Sequence, residues 1–245
     1  MLVSSTEVQN NFGKYLMLAL TGDIIITRNG MPVAKLSALG EGESRRDAVA
    51  GIVAEEAAKI GYGIRKATYE EFLKLNRHTE ERYEYIDGQI YLLASPKIPH
   101  QLASAELFAI FHRWFQGKSC HVLAAPCDIT LTRSPEHINV VQPDIAVICD
   151  LEEHLADDGY YMGVPTLLVE ILSDSTRVKD LIKKLDLYRA CGVGEYWIVD
   201  LDSKAITVHT FQDSDFGKMA IYQEPRKAKS QVFPGLDVDL VQAFR

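Results

Sequence analysis

The six residues Leu167-Leu168-Val169-Glu170-Ile171-Leu172 constrain the fold more than any other stretch. A short, β-branched apolar run of this kind is the pattern of a strand buried on both faces. Glu170 lies inside it. A carboxylate in such a strand costs several kcal/mol unless it is paired or coordinates a metal. Taken alone, Glu170 fits a structural salt bridge and a metal ligand equally well.

Two neighbouring features bear on that choice. Pro143-Asp144 precedes a second apolar strand, Ile145-Ala146-Val147-Ile148, so two carboxylates stand on separate strands. After Glu170 comes a helical pattern from about Val178 to Cys191, with Gly192 as its stop. At α-helical spacing Asp180, Lys184 and Tyr188 fall at i, i+4 and i+8 on one face. The same spacing turns Leu181, Leu185 and Leu187 to the core and Lys183 to solvent. Ser173-Asp174-Ser175-Thr176 reads as the N-cap of this helix. Carboxylates converging from separate strands beside a lysine suit hydrolysis of a phosphodiester with a divalent cation.

The rest of the chain supplies a scaffold for such a site. At 245 residues and 47% hydrophobic it can bury a full core. No apolar run reaches the roughly 18 residues of a membrane span, and the N-terminus lacks a secretory signal pattern, so a cytoplasmic protein is expected. The formal net charge of −8 argues against indiscriminate coating of nucleic acid. Arg177, Lys179, Lys183, Lys184 and Arg189 nevertheless make the organising helix locally basic. Cys120, Cys127, Cys149 and Cys191 show no paired short spacing, which predicts reduced thiols without a zinc site or disulfide framework.

In chain order, Ser4 with Glu7 opens a helix over about Thr6–Leu20, Gly22-Asp23 stops it, and Ile24–Thr27 and Val33–Leu36 form a hairpin around Asn29-Gly30, with Pro32 marking an edge. Gly40–Ser44 breaks the pattern. A second helix carries Val49, Ile52, Val53, Ala57 and Ile60 on one face. Thr68 with Glu71 caps a short helix through Leu75. Glu84–Ile86 and Gln89–Leu93 flank an Asp87-Gly88 turn, and His100–Phe115 is helical. Further strands are expected at Cys120–Ala124, Ile129–Thr132, Ile145–Ile148, Leu167–Leu172, Tyr196–Val199 and Ile206–Phe211, with Tyr196 and Trp197 in the core. The order predicts an α+β (mixed α/β) protein with a central mixed sheet.

Two resemblances sharpen these expectations. Ser5-Thr6-Glu7, Asn11-Phe12, Tyr15-Leu16, Ile24–Gly30 and Pro32-Val33-Ala34 resemble the N-terminal half of the prevent-host-death (Phd/YefM) antitoxin family. That likeness implies a small α/β unit over residues 1–43 for dimerisation and DNA binding, with a toxin or antitoxin as partner and a homodimer as the assembly. Residues 44–66 are then a helical linker. From residue 67 to 245 the chain resembles the Uma family of restriction-type endonucleases, in the PD-(D/E)xK superfamily. The residues that carry this are Tyr69-Glu70-Glu71-Phe72-Leu73, Tyr83-Glu84, Ile86-Asp87-Gly88, Ser95-Pro96, His100, Pro143-Asp144, Glu170, Ser173, Asp180, Lys184, Tyr188, Gly192-Val193, Glu195–Asp200 and Phe233–Leu236.

The second resemblance implies a restriction-endonuclease-like core in which Asp144 and Glu170 bind Mg²⁺ or Mn²⁺, Glu84 completes the acidic site and Lys184 offsets developing charge. His100, Asp180 and Tyr188 are expected in support. It implies nucleic acid, taken as DNA, as substrate. The superfamily's usual lysine, two residues beyond the second acid, is replaced here by Leu172. A non-catalytic DNA-binding antitoxin or repressor on the same scaffold is the alternative.

Overall fold

The structure is a computed structural model that describes residues 2–4, 8, 15, 24–28, 31–37, 64–157, 159–173, 176–177, 179–212 and 215–245. The chain divides into two compact units, Met1–Ile52 and Val53–Arg245. In the first, β1 (Leu2–Ser4) lies parallel to β2 (Ile24–Arg28), and β3 (Met31–Leu36) returns antiparallel to it. Val3, Val8, Tyr15 and Ile24 form its small core, and Val8 and Tyr15 are helical. Most of the Thr6–Leu20 helix lies outside the described residues. So do Gly22-Asp23, the Asn29-Gly30 turn, the Gly40–Ser44 boundary, the helix of Val49 to Ile60, Asp174 and Ser175.

The second unit begins with β4 (Ile64–Lys66) and α1 (Tyr69–Arg77). Thr68 caps α1 as expected: its hydroxyl accepts from the Glu71 backbone N at 3.2 Å, and its own N–H donates to the Glu71 carboxylate at 2.8 Å. Strands β5 (Tyr83–Ile86) and β6 (Gln89–Leu92) form the hairpin around Asp87-Gly88, whose φ values of 49° and 75° are those of a primed turn. Helix α2 (Ile98–Phe115) follows, then β7 (His121–Ala124), β8 (Ile129–Ser134), β9 (His137–Val141), β10 (Ile145–Ile148), α3 (Leu151–His154) and β11 (Leu167–Ile171). A π-helical stretch (Lys179–Lys184) runs into α4 (Leu185–Ala190). The chain ends with β12 (Glu195–Asp200), β13 (Ala205–Gln212), β14 (Asp215–Gln223), β15 (Lys227–Lys229), β16 (Asp237–Asp239) and α5 (Leu240–Ala243).

These strands make a six-stranded mixed sheet in the order β14-β13-β12-β11-β10-β7, in which only β11 and β12 run parallel. The parallel step requires a crossover, and the π-helical stretch with α4 provides it. Strands β10 and β11 are buried along their whole length, as their continuous apolar runs predict. Leu167, Val169 and Ile171 face a core shared with Leu107, Phe111 and Phe115 of α2, while Glu170 alternates to the opposite face. A second, five-stranded sheet (β4-β6-β5-β9-β8) carries Glu84 on β5.

Several expectations need correction. Cys120 and Cys149 are joined as a disulfide, not reduced thiols. The antiparallel register of β7 and β10 pairs His121 with Ile148, so the next residues outward, Cys120 and Cys149, stand opposite each other. Their 29-residue separation carries no sequence signal. Strands β9 and β14 also went unrecognised. β9 returns from β8 through the short Pro135-Glu136 turn, and β14 is an edge strand whose Met219 and Ile221 are exposed. Tyr196 and Trp197 are core residues, as expected. No helix among the described residues is long and apolar enough to cross a membrane.

Glu195 is the buried tie between the central sheet and the C-terminal segment. It accepts from the Trp197 indole at 2.5 Å and from the backbone N–H of Gln231 and Val232 at 2.6 and 3.1 Å. Glu195→Ala strands the buried Trp197 indole donor, worth about 1–3 kcal/mol when unsatisfied, and two part-buried backbone donors. The expected outcome is a large fall in the urea midpoint of the Trp197 fluorescence transition, with Glu195→Gln falling less. An unchanged midpoint in Glu195→Ala would contradict this role.

Candidate active site

The antiparallel register that pairs Ile145 with Val169 continues outward to Asp144 beside Glu170. Both carboxylates therefore stand at one end of the central sheet. Asp144 is held there by the Ile171 backbone N–H, which donates to its Oδ2 at 2.7 Å. His100, at the start of α2, approaches the same place, with Nε2 3.1 Å from the Ile171 carbonyl oxygen and 3.4 Å from Asp144 Oδ2. Burial pulls the His100 pKa down, but the adjacent Asp144 carboxylate more than offsets it and the net shift is upward.

Beneath Glu170 lies a closed set of charges. Lys184 Nζ is 2.7 Å from Glu84 Oε1, 2.7 Å from Glu170 Oε1 and 3.5 Å from Asp180 Oδ1. Tyr188 also donates to Glu170 Oε1, at 2.8 Å. Glu84 is fully buried and takes Lys179 Nζ on Oε2 at 2.5 Å and the Gln142 backbone N–H on Oε1 at 2.9 Å. Glu84, Asp144, Glu170, Asp180, Lys184, Tyr188 and His100, all singled out from the sequence, are thus gathered at one place. Lys179 and Gln142 join them without having been expected.

The π-helical stretch explains how Lys179 arrives. In an α-helix Lys179 and Lys184, five apart, point well away from each other. A π-turn closes its hydrogen bonds at i→i+5 and brings them to one side, so both reach Glu84. The same widening overturns two side-chain assignments. Lys183 is buried rather than solvent-facing, and donates to Gln89 Oε1 at 2.7 Å and the Tyr91 hydroxyl at 2.6 Å. Leu181 is 39% exposed rather than in the core, while Leu187 is buried as expected.

The shared lysine treats its carboxylates unequally. Burial alone would raise the Glu84 pKa, but Lys179 and Lys184 overcome it and hold the group down to about 2. Glu170 has the same burial and shares only Lys184, while Asp180, Asp144 and Glu84 stand against its charge; its pKa is pushed well up. Asp180 is likewise raised by burial. Lys184 would be lowered by burial, yet Glu170, Glu84 and Asp180 raise it well above the usual lysine value.

The upper side of this cluster opens into a cleft of about 500 Å³ lined by Asp144, Glu170, His100, Lys179 and Lys184, among others. The second oxygens, Asp144 Oδ1 and Glu170 Oε2, have no donor among the described residues. No group of three or more His, Cys, Asp or Glu among those residues is arranged to hold a metal ion. Two converging carboxylate oxygens in an open cleft still fit a hard cation that keeps several waters, as Mg²⁺ does.

A mixed sheet with two carboxylates at one end of adjacent strands and a buried lysine beside the second is the arrangement of a restriction-endonuclease-like protein. Residues 69–241 match the Uma2 family, described as "Putative restriction endonuclease", and the chain belongs to that family. A crystal structure described as a putative nuclease belonging to DUF820, from Anabaena variabilis ATCC 29413, shares the fold. Its TM-score is 0.58 at 20% identity, covering 72% of this chain and 97% of that one. An uncharacterized protein, slr1290 of Synechocystis sp. (strain ATCC 27184 / PCC 6803 / Kazusa), is 26% identical over 156 residues, which is 64% of this chain and 79% of its own length.

The charge arrangement makes Glu84 and Glu170 opposite in their effect on stability. Glu84→Gln leaves two buried ammonium groups short of a counter-charge, and breaking a buried pair in this way costs about 3–5 kcal/mol. The depressed Glu84 pKa means that its contribution is fully present above its ordinary value of 4.5 and is lost as pH falls from there toward about 2. Denaturant unfolding in EDTA at neutral pH is therefore expected to show Glu84→Gln strongly destabilised, with the gap to wild type closing as pH is lowered through that window. Glu170→Gln removes a carboxylate crowded by three others and is expected to cost less than about 1 kcal/mol or to stabilise. The reverse order of the two variants would refute the charge assignment.

Proposed function

We propose that the chain is a divalent-metal-dependent nuclease that hydrolyses phosphodiester bonds of nucleic acid, with DNA as the first substrate to test. The observation that carries this reading is the pair of carboxylate oxygens, Asp144 Oδ1 and Glu170 Oε2, presented to the cleft while their partner oxygens are held from below. Membership of the Uma2 family supports it.

Asp144 and Glu170 would hold Mg²⁺ or Mn²⁺. When bound, the cation supplies a water of lowered pKa and polarises the phosphoryl oxygens. The protein's own part is positioning. Lys184 and Tyr188 fix Glu170 through Oε1, which leaves Oε2 to the cleft. The Ile171 N–H does the same for Asp144. Glu84 acts one layer below, holding Lys184 and Lys179 at the cleft floor, where their charge offsets the negative charge that develops on phosphorus. His100 and Asp180 complete the frame around the two carboxylates. The N-terminal unit, on its Phd/YefM likeness, would dimerise the chain and target or restrain the nuclease, with a toxin or antitoxin as its partner.

The test is cleavage of labelled DNA and RNA by the full chain with Mg²⁺ or Mn²⁺. EDTA is expected to abolish the activity, and Asp144→Ala or Glu170→Ala to lower it at least about 100-fold, the scale of losing a group that stabilises transition-state charge. Lys184→Met is expected to fall in the same range. Cleavage that persists undiminished in the pure Asp144→Ala, Glu170→Ala double variant would reject the site. Operator-type DNA binding with no metal binding by calorimetry would favour the non-catalytic repressor instead.

A further inference from the structure

The cleft above Asp144 and Glu170 is small and its floor is sunk. Its volume of about 500 Å³ belongs to the size class that holds one small molecule. The Glu170 side chain is 5% exposed and that of Asp144 17%, so a phosphorus atom near both must enter the cleft with its own sugar and base. Leu93, Pro96 and Leu201 give the walls apolar surface. Among the described residues the lining contains no Phe, Tyr or Trp on which a base could stack. Two polar groups there lack protein partners. Arg82 is in no ion pair among the described residues, and His100 Nδ1 is buried without a hydrogen bond. An unpaired guanidinium on a cleft wall suits an anionic ligand.

A nucleotide inside a duplex cannot enter a space of this size with its partner still attached. Extruding it costs a few kcal/mol of pairing and stacking, and an unpaired strand carries no such cost. We propose that the cleft takes one unpaired nucleotide. The substrate is therefore a single strand, or an unpaired stretch such as a flap or bulge, rather than intact duplex. Arg82 meets a phosphate flanking the one over Asp144 and Glu170. This inference rests on the nuclease reading for what happens after binding, but the binding itself can be measured separately.

The experiment is fluorescence anisotropy of the full chain in EDTA with short labelled single strands of DNA and of RNA, a blunt DNA duplex and the same duplex with an internal bulge. Ser104, on the cleft-facing side of α2, is replaced by tryptophan to fill the space. Ser104→Trp is expected to weaken single-strand and bulge binding at least about tenfold and to leave duplex binding within about twofold, which separates the cleft from any duplex contact elsewhere on the chain. Should circular dichroism show Ser104→Trp unfolded, Arg82→Glu replaces it with the same expected contrast. Preference for DNA or for RNA among the single strands identifies the strand chemistry and supports the proposal. Single-strand affinity that survives the substitution in the folded variant, or duplex affinity that falls in the same ratio, overturns it. A cleavage assay with Mn²⁺ runs beside it. Cleft-dependent binding without cleavage of any strand would sink the nuclease reading and leave the ligand class standing.

Discussion

The second unit is built around one buried ammonium group. Lys184 is 3% exposed and stands among three carboxylates contributed by three separate elements, Glu84 from β5, Glu170 from β11 and Asp180 from the π-helical stretch. Each of these charges would be prohibitive alone. Together with Lys179 they leave three acids against two lysines, and Asp144 at the rim makes a fourth acid. Burial, with Asp180, Asp144 and Glu84 adding to it, disfavours the ionised form of Glu170.

The two sheets are needed because no single one could assemble this set. The central sheet supplies Asp144 and Glu170 through a single antiparallel register, a placement that any one-residue slip would turn to the opposite face. The second sheet supplies Glu84, with the backbone of Gln142 as a bridge, since that residue leads directly through Pro143 into Asp144. Gln142 is also tied sideways: its side-chain amide donates to Asp128 Oδ1 at 2.7 Å, and Asn76 of α1 reaches the other Asp128 oxygen at 3.4 Å. The hydrogen bonds that hold the acids thus also hold the sheets together.

Much of this was legible from residues alone because alternation and turn chemistry are local. Asp87-Gly88 specifies its hairpin through the positive φ that only a few residue types accept readily, and the Thr68–Glu71 box specifies a helix start. Glu170 stood out because a carboxylate in a buried strand must have a reason, and Asp144 because it stands at the start of the neighbouring apolar strand. What was hidden depends on geometry that the sequence does not display. The π-turn is one such case: the i, i+4, i+8 spacing of Asp180, Lys184 and Tyr188 predicts an α-helix, and on that assumption Lys179 points away from Lys184 and Lys183 faces water. Both are buried. The Cys120–Cys149 bond is another, since it follows from a strand register and not from any spacing motif.

The position two residues beyond the second acid illustrates the difference between a motif and the physics behind it. Leu172 occupies it and is buried at 6% exposure. The ammonium that the motif would have delivered comes instead from Lys184, fourteen residues beyond Glu170, and arrives 2.7 Å from the Glu170 oxygen that it must accompany. A lysine on the strand would reach its neighbour by a flexible stem from the same backbone. A lysine on the crossover is held by a packed helix, with Tyr188 four residues on bonded to that oxygen as well. The requirement is a cation fixed beside a carboxylate that has one oxygen left over, and a rigid crossover satisfies it at least as firmly as the strand could. Leu172 therefore moves the source of the charge while the charge itself stays where Glu170 needs it.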